Sequence, residues 1–221
     1  MRSLDALVDT DDPGISRLAA FAEESPHRVD VLPPGEGAAD CLLALQVTTR
    51  SMLGTVAYQT GGLLVADGWL RVLGAGSPAL PRRLDAWNGL GAERRHAGGL
   101  LVADDAGGGF FSWQADTRTV AYFAPDTLEW EDTRLGYEDW LREMLGPPLL
   151  AFYDGLRWDG WRFLASELTS SQAMFFYPPR FTEEGRDPIE SYRGLVPVEE
   201  SWEVQQDLAR QLAEGRAARS G

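Results

Sequence analysis

Aspartate side chains are the most frequent candidates for chemistry in this sequence, and four of them end or connect predicted strands. Asp104 and Asp105 follow the apolar stretch GLLVA, and Asp67 and Asp126 begin turns. Aspartate often occupies such positions because it bonds to its own backbone. If the loops share one sheet edge, the same carboxylates could bind a cation or act as a catalytic pair. The sequence therefore keeps open an enzyme or small-molecule binder with a carboxylate-lined pocket near Asp104 and Asp105, to which His96 could contribute.

The other reactive residue types are too few for a standard catalytic or metal-binding motif. The single cysteine, Cys41, lies in the apolar stretch ADCLLALQV, which predicts a small buried side chain. The two histidines, His27 and His96, have no zinc-binding spacing, and the absence of lysine excludes a Schiff-base lysine and a P-loop. Gly107–Gly109 precede an aromatic strand, which predicts a turn and not a nucleotide site. We therefore predict no catalytic residue, no metal ligand and no cofactor.

The sequence contains eight tryptophans, which are of two kinds. The first kind falls on apolar faces and is predicted to be core: Trp69, Trp113, Trp140 and Trp202. The second kind adjoins polar or charged residues, as is typical of interface hot spots: Trp87, Trp130, Trp158 and Trp161. A helix could instead place Trp158 and Trp161 over the rim of the core, and Arg157 could form a cation–π pair with a neighbouring ring.

The net charge of −14, from 20 basic and 34 acidic residues, indicates what the chain would bind. Such a charge argues against nucleic acid, because the phosphate backbone would repel it. Residues 126–143 hold seven acids and two arginines, which makes either a solvated face or a docking surface for a basic protein. The candidate interaction surface combines these acids with the tryptophans and their neighbours: Trp87, Asn88, Asp104, Asp105, Trp130, Glu131, Asp132, Arg157, Trp158 and Trp161.

The pattern of strands predicts an α+β fold with a mainly antiparallel sheet, made of a hairpin and a meander. Asp67-Gly68 separates two apolar runs and predicts a type I′ hairpin turn. An edge strand is predicted at 28–33, and 48–62 fits a helix or a strand. Meander strands are predicted at 99–104, 109–114, 119–124 and 127–132, and a strand or extended loop at 171–179.

Helices are predicted to pack outside this sheet and to be more frequent in the C-terminal third. The first begins near Asp11 or Asp12, either of which can cap it, with Pro13 in its first turn. Residues 180–194 are predicted to be a loop. The predicted helices are 11–25, 35–46, about ten residues within 77–91, 137–146, 147–156, 158–168 and about 199–214. We therefore predict a single α+β domain over residues 1–221.

Several stretches of unusual sequence indicate a family: GGLLVADGWLRVLG, LLVADDAGGGFFSW, YFAPDTLEWED and FYDGLRWDGW. Together they resemble the bacterial family called Domain of Unknown Function 2625, from about residue 2 to about residue 204. That family has no established activity, so the resemblance assigns no catalytic residue. The glycine pair before a hairpin, the meander and the helix YEDWLREML are more loosely similar to the SMI1/KNR4-like (SUKH) superfamily. Many of its members are bacterial immunity proteins that bind toxin domains, which implies a SUKH-like fold and an immunity-type function by analogy.

Taken together, these features favour a soluble cytoplasmic protein that binds another, basic protein and neither nucleic acid nor membrane. No apolar run approaches the ~20 residues of a membrane span, and the N-terminus has no signal-peptide pattern. The alternative is the enzyme or small-molecule binder with a pocket near Asp104 and Asp105. A structural subunit or homodimer that uses the Trp158–Trp161 region also stays open.

Overall fold

A computed structural model of the chain describes residues 1–11 and 14–220. The predicted cap at Asp12 and the predicted first-turn position of Pro13 lie outside these residues. The strands are β1 (Val29–Leu32), β2 (Gly62–Val65), β3 (Leu70–Leu73), β4 (Leu100–Asp105), β5 (Phe110–Trp113), β6 (Val120–Ala124), β7 (Glu129–Asp132), β8 (Gln172–Tyr177) and β9 (Tyr192–Pro197). The helices are α1 (Leu4–Leu7), α2 (Gly14–Glu23), α3 (Ala38–Leu45), α4 (Met52–Gln59), α5 (Leu84–Trp87), α6 (Tyr137–Leu145), α7 (Pro148–Phe152), α8 (Trp161–Glu167) and α9 (Val198–Ser220).

Strands β1 to β7 form one antiparallel sheet in which each strand lies beside the next one along the chain. The Asp-Gly signal between β2 and β3 is confirmed. Asp67 and Gly68 have φ values of 60° and 81°, as a type I′ turn requires. The Trp69 N–H donates to the Ala66 carbonyl at 3.2 Å and closes the turn. The predicted α+β fold with a mainly antiparallel sheet is therefore correct.

The two faces of this sheet are covered by different parts of the chain, because successive strand residues point to opposite sides. On one face, here called the α6 face, Phe111 packs against Trp140 of α6 with ring centroids 5.1 Å apart. On the other, here called the α9 face, Phe110 packs against Trp202 of α9 at 4.9 Å. Strands β8 and β9 form a separate hairpin that also lies on the α9 face, where the Met174 N–H donates to the Ala106 carbonyl at 2.8 Å.

Three local predictions need correction or extension. The helix expected within 77–91 is only the single turn α5, because Pro78 and Pro81 lack the N–H groups that a longer helix needs. Strand β9 begins inside the segment expected to be a loop, and its pairing with β8 supplies the order that its polar sequence does not indicate. The final helix runs to Ser220, beyond the expected end near 214. Residues 48–62, whose sequence fitted a helix or a strand, contain the helix α4.

Candidate functional site

The predicted carboxylate pair does not exist, because Asp104 and Asp105 are successive residues of β4 and point to opposite faces. Asp104 lies on the α9 face beside its cross-strand neighbours Arg71 and Phe110. Asp105 lies on the α6 face beside Tyr122. Both aspartates are 1% exposed. The prediction of a pocket lined by these two carboxylates is therefore wrong, since both carboxylates are buried and contact other side chains of the fold.

Asp104 is the centre of a buried ion triad that ties β8 to the large sheet. Its carboxylate forms an ion pair with Arg71 Nη2 at 2.6 Å and accepts a hydrogen bond from Arg82 Nη1. The same guanidinium groups reach the hairpin: Arg71 donates to the Gln172 carbonyl, and Arg82 donates to the Ser170 carbonyl at 2.6 Å. Burial lowers the pKa of Arg71, and the charge of Asp104 opposes that effect. The triad therefore fixes the position of the hairpin on the α9 face.

Asp105 is the centre of a second buried network, on the α6 face. Its carboxylate accepts from the Gly109 N–H at 2.9 Å, the Tyr122 hydroxyl at 2.9 Å and the Tyr153 hydroxyl at 3.2 Å. Burial raises the pKa of Asp105, and the hydrogen bonds from Gly109 and Tyr122 oppose the rise. Burial, together with the charge of Asp105, also raises the pKa of both tyrosines well above the usual value. This network joins β4, β6 and the segment after α7, which is a structural role.

The other sequence candidates for chemistry are also accounted for by the fold. The turns that carry Asp67, Asp105 and Asp126 do lie at one end of the sheet, as the strand registers require. Among the described residues these carboxylates nevertheless do not form a cluster of three or more, and Asp67 pairs with Arg162 at 3.2 Å. Cys41 is fully buried, and burial raises the pKa of its thiol to about 12. Within residues 1–11 and 14–220, no cluster of three or more histidine, cysteine or acidic side chains is arranged to hold a metal ion.

Half of the predicted interaction surface is buried and cannot face a partner in this structure. The buried members are Trp87, Asn88, Asp104, Asp105 and Trp158. Trp87 lies between the guanidinium groups of Arg82 and Arg95, whose Cζ atoms are 5.0 and 4.0 Å from its ring centroid. The side chain of Asn88 bonds to the backbone of Leu84 and Leu101. A polar neighbour in sequence therefore does not predict an exposed tryptophan.

The remaining members of the predicted surface form two separate groups. Glu131 and Asp132 are exposed on the edge strand β7 beside the half-buried Trp130, whose ring stacks on His96 at 4.8 Å. Burial lowers the pKa of His96. Arg157 lies over the half-buried ring of Trp161 at 4.5 Å, which confirms the expected cation–π pair. Whether either group binds a partner stays a prediction.

A pocket that sequence analysis did not identify lies between the C-terminal hairpin, α9 and the end of the large sheet. We call it the hairpin pocket. Its volume is about 300 Å³. Its apolar walls come from the hairpin, the β6–β7 turn, the segment after β8 and α9: Met174, Phe175, Phe176, Val196, Pro125, Leu128, Pro179, Phe181, Val204 and Leu208. The spacing of Val204 and Leu208, four residues apart on one helix, was the sequence signal for one wall.

Polar side chains occur at a few positions of the hairpin pocket. Arg180 and Gln205 line it together with Ser201 and Glu200, which is exposed at the rim. Gln205 donates to the Gly108 carbonyl at 2.8 Å. Arg180 Nε and Gln205 Oε1 are buried and have no hydrogen-bond partner among the residues that the structure describes. An apolar pocket with a few polar groups is the usual form of a small-molecule site.

Exposed aromatic rings adjoin the pocket on the hairpin. Phe175 lines the pocket and is 42% exposed. Tyr177 and Tyr192 are directly paired across the hairpin and are 64% and 71% exposed. Apolar surface of this kind often marks a binding groove. The hairpin therefore presents exposed aromatic surface beside the pocket, whose rim also carries Glu200.

Comparisons with other proteins give a family but no activity. A family model described as "Protein of unknown function DUF2625" matches residues 4–201. The chain is 35% identical over 219 residues to a putative uncharacterized protein, YbfG, of Escherichia coli (strain K12), covering 94% of this chain and 97% of that protein. It is 30% identical over 187 residues to an uncharacterized protein of Haemophilus influenzae, covering 80% of this chain and 82% of that protein. No solved structure matches. Among the described helices, none is both long and apolar enough to cross a membrane.

Proposed function

Since this chain belongs to the DUF2625 family of proteins of unknown function, the site itself must indicate the function, and we propose that the protein binds a small apolar ligand in the hairpin pocket. The observation that carries the proposal is the open apolar space of about 300 Å³. Protein interiors are close-packed and leave few voids larger than a water molecule. An apolar ligand in this space would remove both its own surface and the pocket walls from water, which is the main source of affinity in such sites.

Filling the pocket tests this function directly. Val204 lines the pocket and is 44% exposed, so a larger side chain at this position can occupy the space without displacing the core. We expect Val204→Trp to bind 1-octanol at least about tenfold more weakly than the wild-type protein in a calorimetric titration. Glu203→Trp is the matched control, because Glu203 is the exposed neighbour on α9 and does not line the pocket. Equal octanol binding by the two variants, or no binding by the wild type, would contradict the proposal.

A second candidate function is the binding of a basic protein at the β7 edge. The observation in its favour is an edge strand whose side chains Glu129, Glu131 and Asp132 are all exposed. Acidic groups at an exposed edge attract a basic partner over a distance, and an edge strand offers unpaired backbone groups to it. This proposal includes the cytoplasmic location predicted from the sequence. An immunity-type role, in which the partner is a toxin domain, is one form of it.

Charge neutralisation at the edge tests the second candidate. We expect wild-type protein to retain a basic partner from a native lysate at low salt and to lose it as salt rises, because added ions screen the attraction. The variant Glu131→Gln/Asp132→Asn should lose this partner already at low salt. Glu183→Gln/Glu184→Gln makes the same change in net charge at two exposed residues of the loop between β8 and β9 and should retain the partner. Recovery of the same proteins by both variants would overturn the proposal.

A further inference from the structure

We infer that the ligand of the hairpin pocket carries an anionic head group, and that Arg180 is the residue that receives it. The inference rests on the proposed function of the pocket and names the chemical class of its ligand. Carboxylate and phosphate share the required chemistry, since both accept two parallel hydrogen bonds from a guanidinium group. The expected ligand is therefore a short apolar chain that ends in one of these anions.

The surroundings of Arg180 show an incompletely paired buried cation. The residue is only 6% exposed. Its guanidinium nitrogens donate to the carbonyl oxygens of Leu156 and Gly155 at 3.4 and 3.5 Å, which is long for hydrogen bonds. Within residues 1–11 and 14–220, its Nε has no hydrogen-bond partner. The Arg180 side chain also lies over the Phe176 ring at 5.3 Å, which keeps one side of the guanidinium against the pocket wall.

Arg180 differs from the other buried arginines of the protein in its lack of a carboxylate partner. Arg71 and Arg82 both pair with Asp104. Among the described residues, Arg180 forms no ion pair. Burial lowers its pKa, and the more distant charges of Asp126, Asp187 and Asp105 only partly oppose this effect. A buried charge without a counterion is costly, so such groups are normally paired or bind a ligand. An anion in the hairpin pocket would supply the missing partner.

The size and walls of the pocket limit the rest of the ligand. A volume of about 300 Å³ equals that of roughly ten water molecules in the liquid. Octanoate has about the same number of non-hydrogen atoms. The apolar walls include Phe181, Met174 and Leu208, against which an alkyl chain would be buried. Octanoate is therefore a suitable probe for an anionic ligand.

A comparison of head groups on the unmodified protein is the first part of the test. Calorimetric titrations with octanoate, octyl phosphate, 1-octanol and octylamine hold the chain constant and change only the head. A hydrogen bond to a charged group corresponds to roughly ten- to hundredfold in affinity. We expect at least one of the two anions to bind about tenfold or more tightly than 1-octanol, and octylamine to bind most weakly. The tighter anion shows whether the head is a carboxylate or a phosphate.

The second part of the test assigns this preference to Arg180. In Arg180→Gln, we expect the anion to bind no more than about twofold more tightly than 1-octanol. Arg186→Gln removes the same charge from an exposed position of the same loop and should keep the wild-type preference. The head-group comparison on the wild type stays decisive if Arg180→Gln does not fold.

The outcomes separate the inference from the function on which it rests. If 1-octanol and the anions bind the wild type equally, the hairpin pocket is a ligand site but Arg180 is not its anion receptor. The same conclusion follows if Arg180→Gln keeps the preference for the anion. If none of the four probes binds, or if Val204→Trp binds them all like the wild type, the proposed function itself is wrong.

Discussion

The variant Asp104→Asn is expected to unfold with a free energy about 3–5 kcal/mol lower than that of the wild-type protein. Asparagine has nearly the shape of aspartate but no charge. The change therefore leaves the guanidinium groups of Arg71 and Arg82 buried without their counterion. Breaking a buried ion pair on one side costs about this much. For a chain of this length, the midpoint of thermal unfolding should fall by roughly 6–20 °C.

A matched control for this variant lies one residue along the chain. Asp105→Asn makes the same chemical change at an equally buried aspartate, but its main partners are the hydroxyl groups of Tyr122 and Tyr153. A hydroxyl can accept as well as donate, so these tyrosines can turn toward an amide. We expect Asp105→Asn to cost clearly less than Asp104→Asn in chemical denaturation. If the free energy of unfolding falls equally in the two variants, the triad does not stabilise the fold more than the Asp105 network does.

Replacement of all three residues of the triad should restore stability relative to Asp104→Asn. Arg71→Met/Asp104→Leu/Arg82→Met removes all three charges together, so no buried charge is left unpaired. Buried ion triads replaced by well-packed apolar residues are often neutral or more stable. The midpoint of thermal unfolding of the triple variant should therefore lie several degrees above that of Asp104→Asn. A triple variant less stable than Asp104→Asn would show that the carbonyl bonds to the hairpin contribute more than the ion pairs.

The second large effect is expected for Trp202→Ala, at about 3–5 kcal/mol, which is typical of a tryptophan removed from a core. Trp202 is 4% exposed and holds α9 against the α9 face of the sheet through Phe110, Phe123 and Trp130. Without the indole ring, α9 loses its main contact with the sheet. Because α9 also supplies Val204 and Leu208, the hairpin pocket should open and lose its affinity for octanoate.

Hydrogen exchange can show that this loss is local. In Trp202→Ala, amides of residues 198–220 should exchange much faster, whereas those of β2 to β4 should change less. Trp140→Ala is the control, because Trp140 packs against Phe111 on the opposite, α6 face of the sheet and none of its ring partners belongs to α9. The control should leave exchange in α9 and octanoate binding unchanged. Uniformly faster exchange in both variants would mean that α9 is not a separate element.

The sequence predicted the large sheet well because its signals are local. Strands β4 to β6 are short apolar or aromatic runs separated by turn residues, and the turn between β2 and β3 is an Asp-Gly pair. The partners of Asp104 and Asp105 could not be predicted in this way. Arg82 is 22 residues from Asp104, and Tyr153 is 48 residues from Asp105. Alternation along β4 does separate the two aspartates, and that argument was available from the sequence.

The hairpin pocket escaped prediction because no single segment contains it. Gly107, Leu128, Arg180 and Leu208 come from four separate parts of the chain, and only the packing of the hairpin on the α9 face brings them together. One of its walls also includes Val196 of β9, a strand that was not predicted because the sequence before it is polar. Trp69, Trp140 and Trp202 are buried as predicted, whereas Trp87 and Trp158 were wrongly predicted to lie on the surface. Trp87 has polar neighbours, but the arginines that lie over its ring shield it from water.

The most direct measurement of ligand binding in the hairpin pocket is a methionine methyl NMR titration with octanoate. The chain has only four methionines, and Met174 alone among them lines the pocket. Met52 of α4 and Met144 of α6 are buried elsewhere and serve as internal controls, with Met174→Leu to assign the reporting signal. Octanoate should shift the Met174 methyl signal progressively to saturation and leave Met52 and Met144 unmoved. A Met174 signal that stays in place, or one that moves together with the two controls, would contradict a ligand site in this pocket.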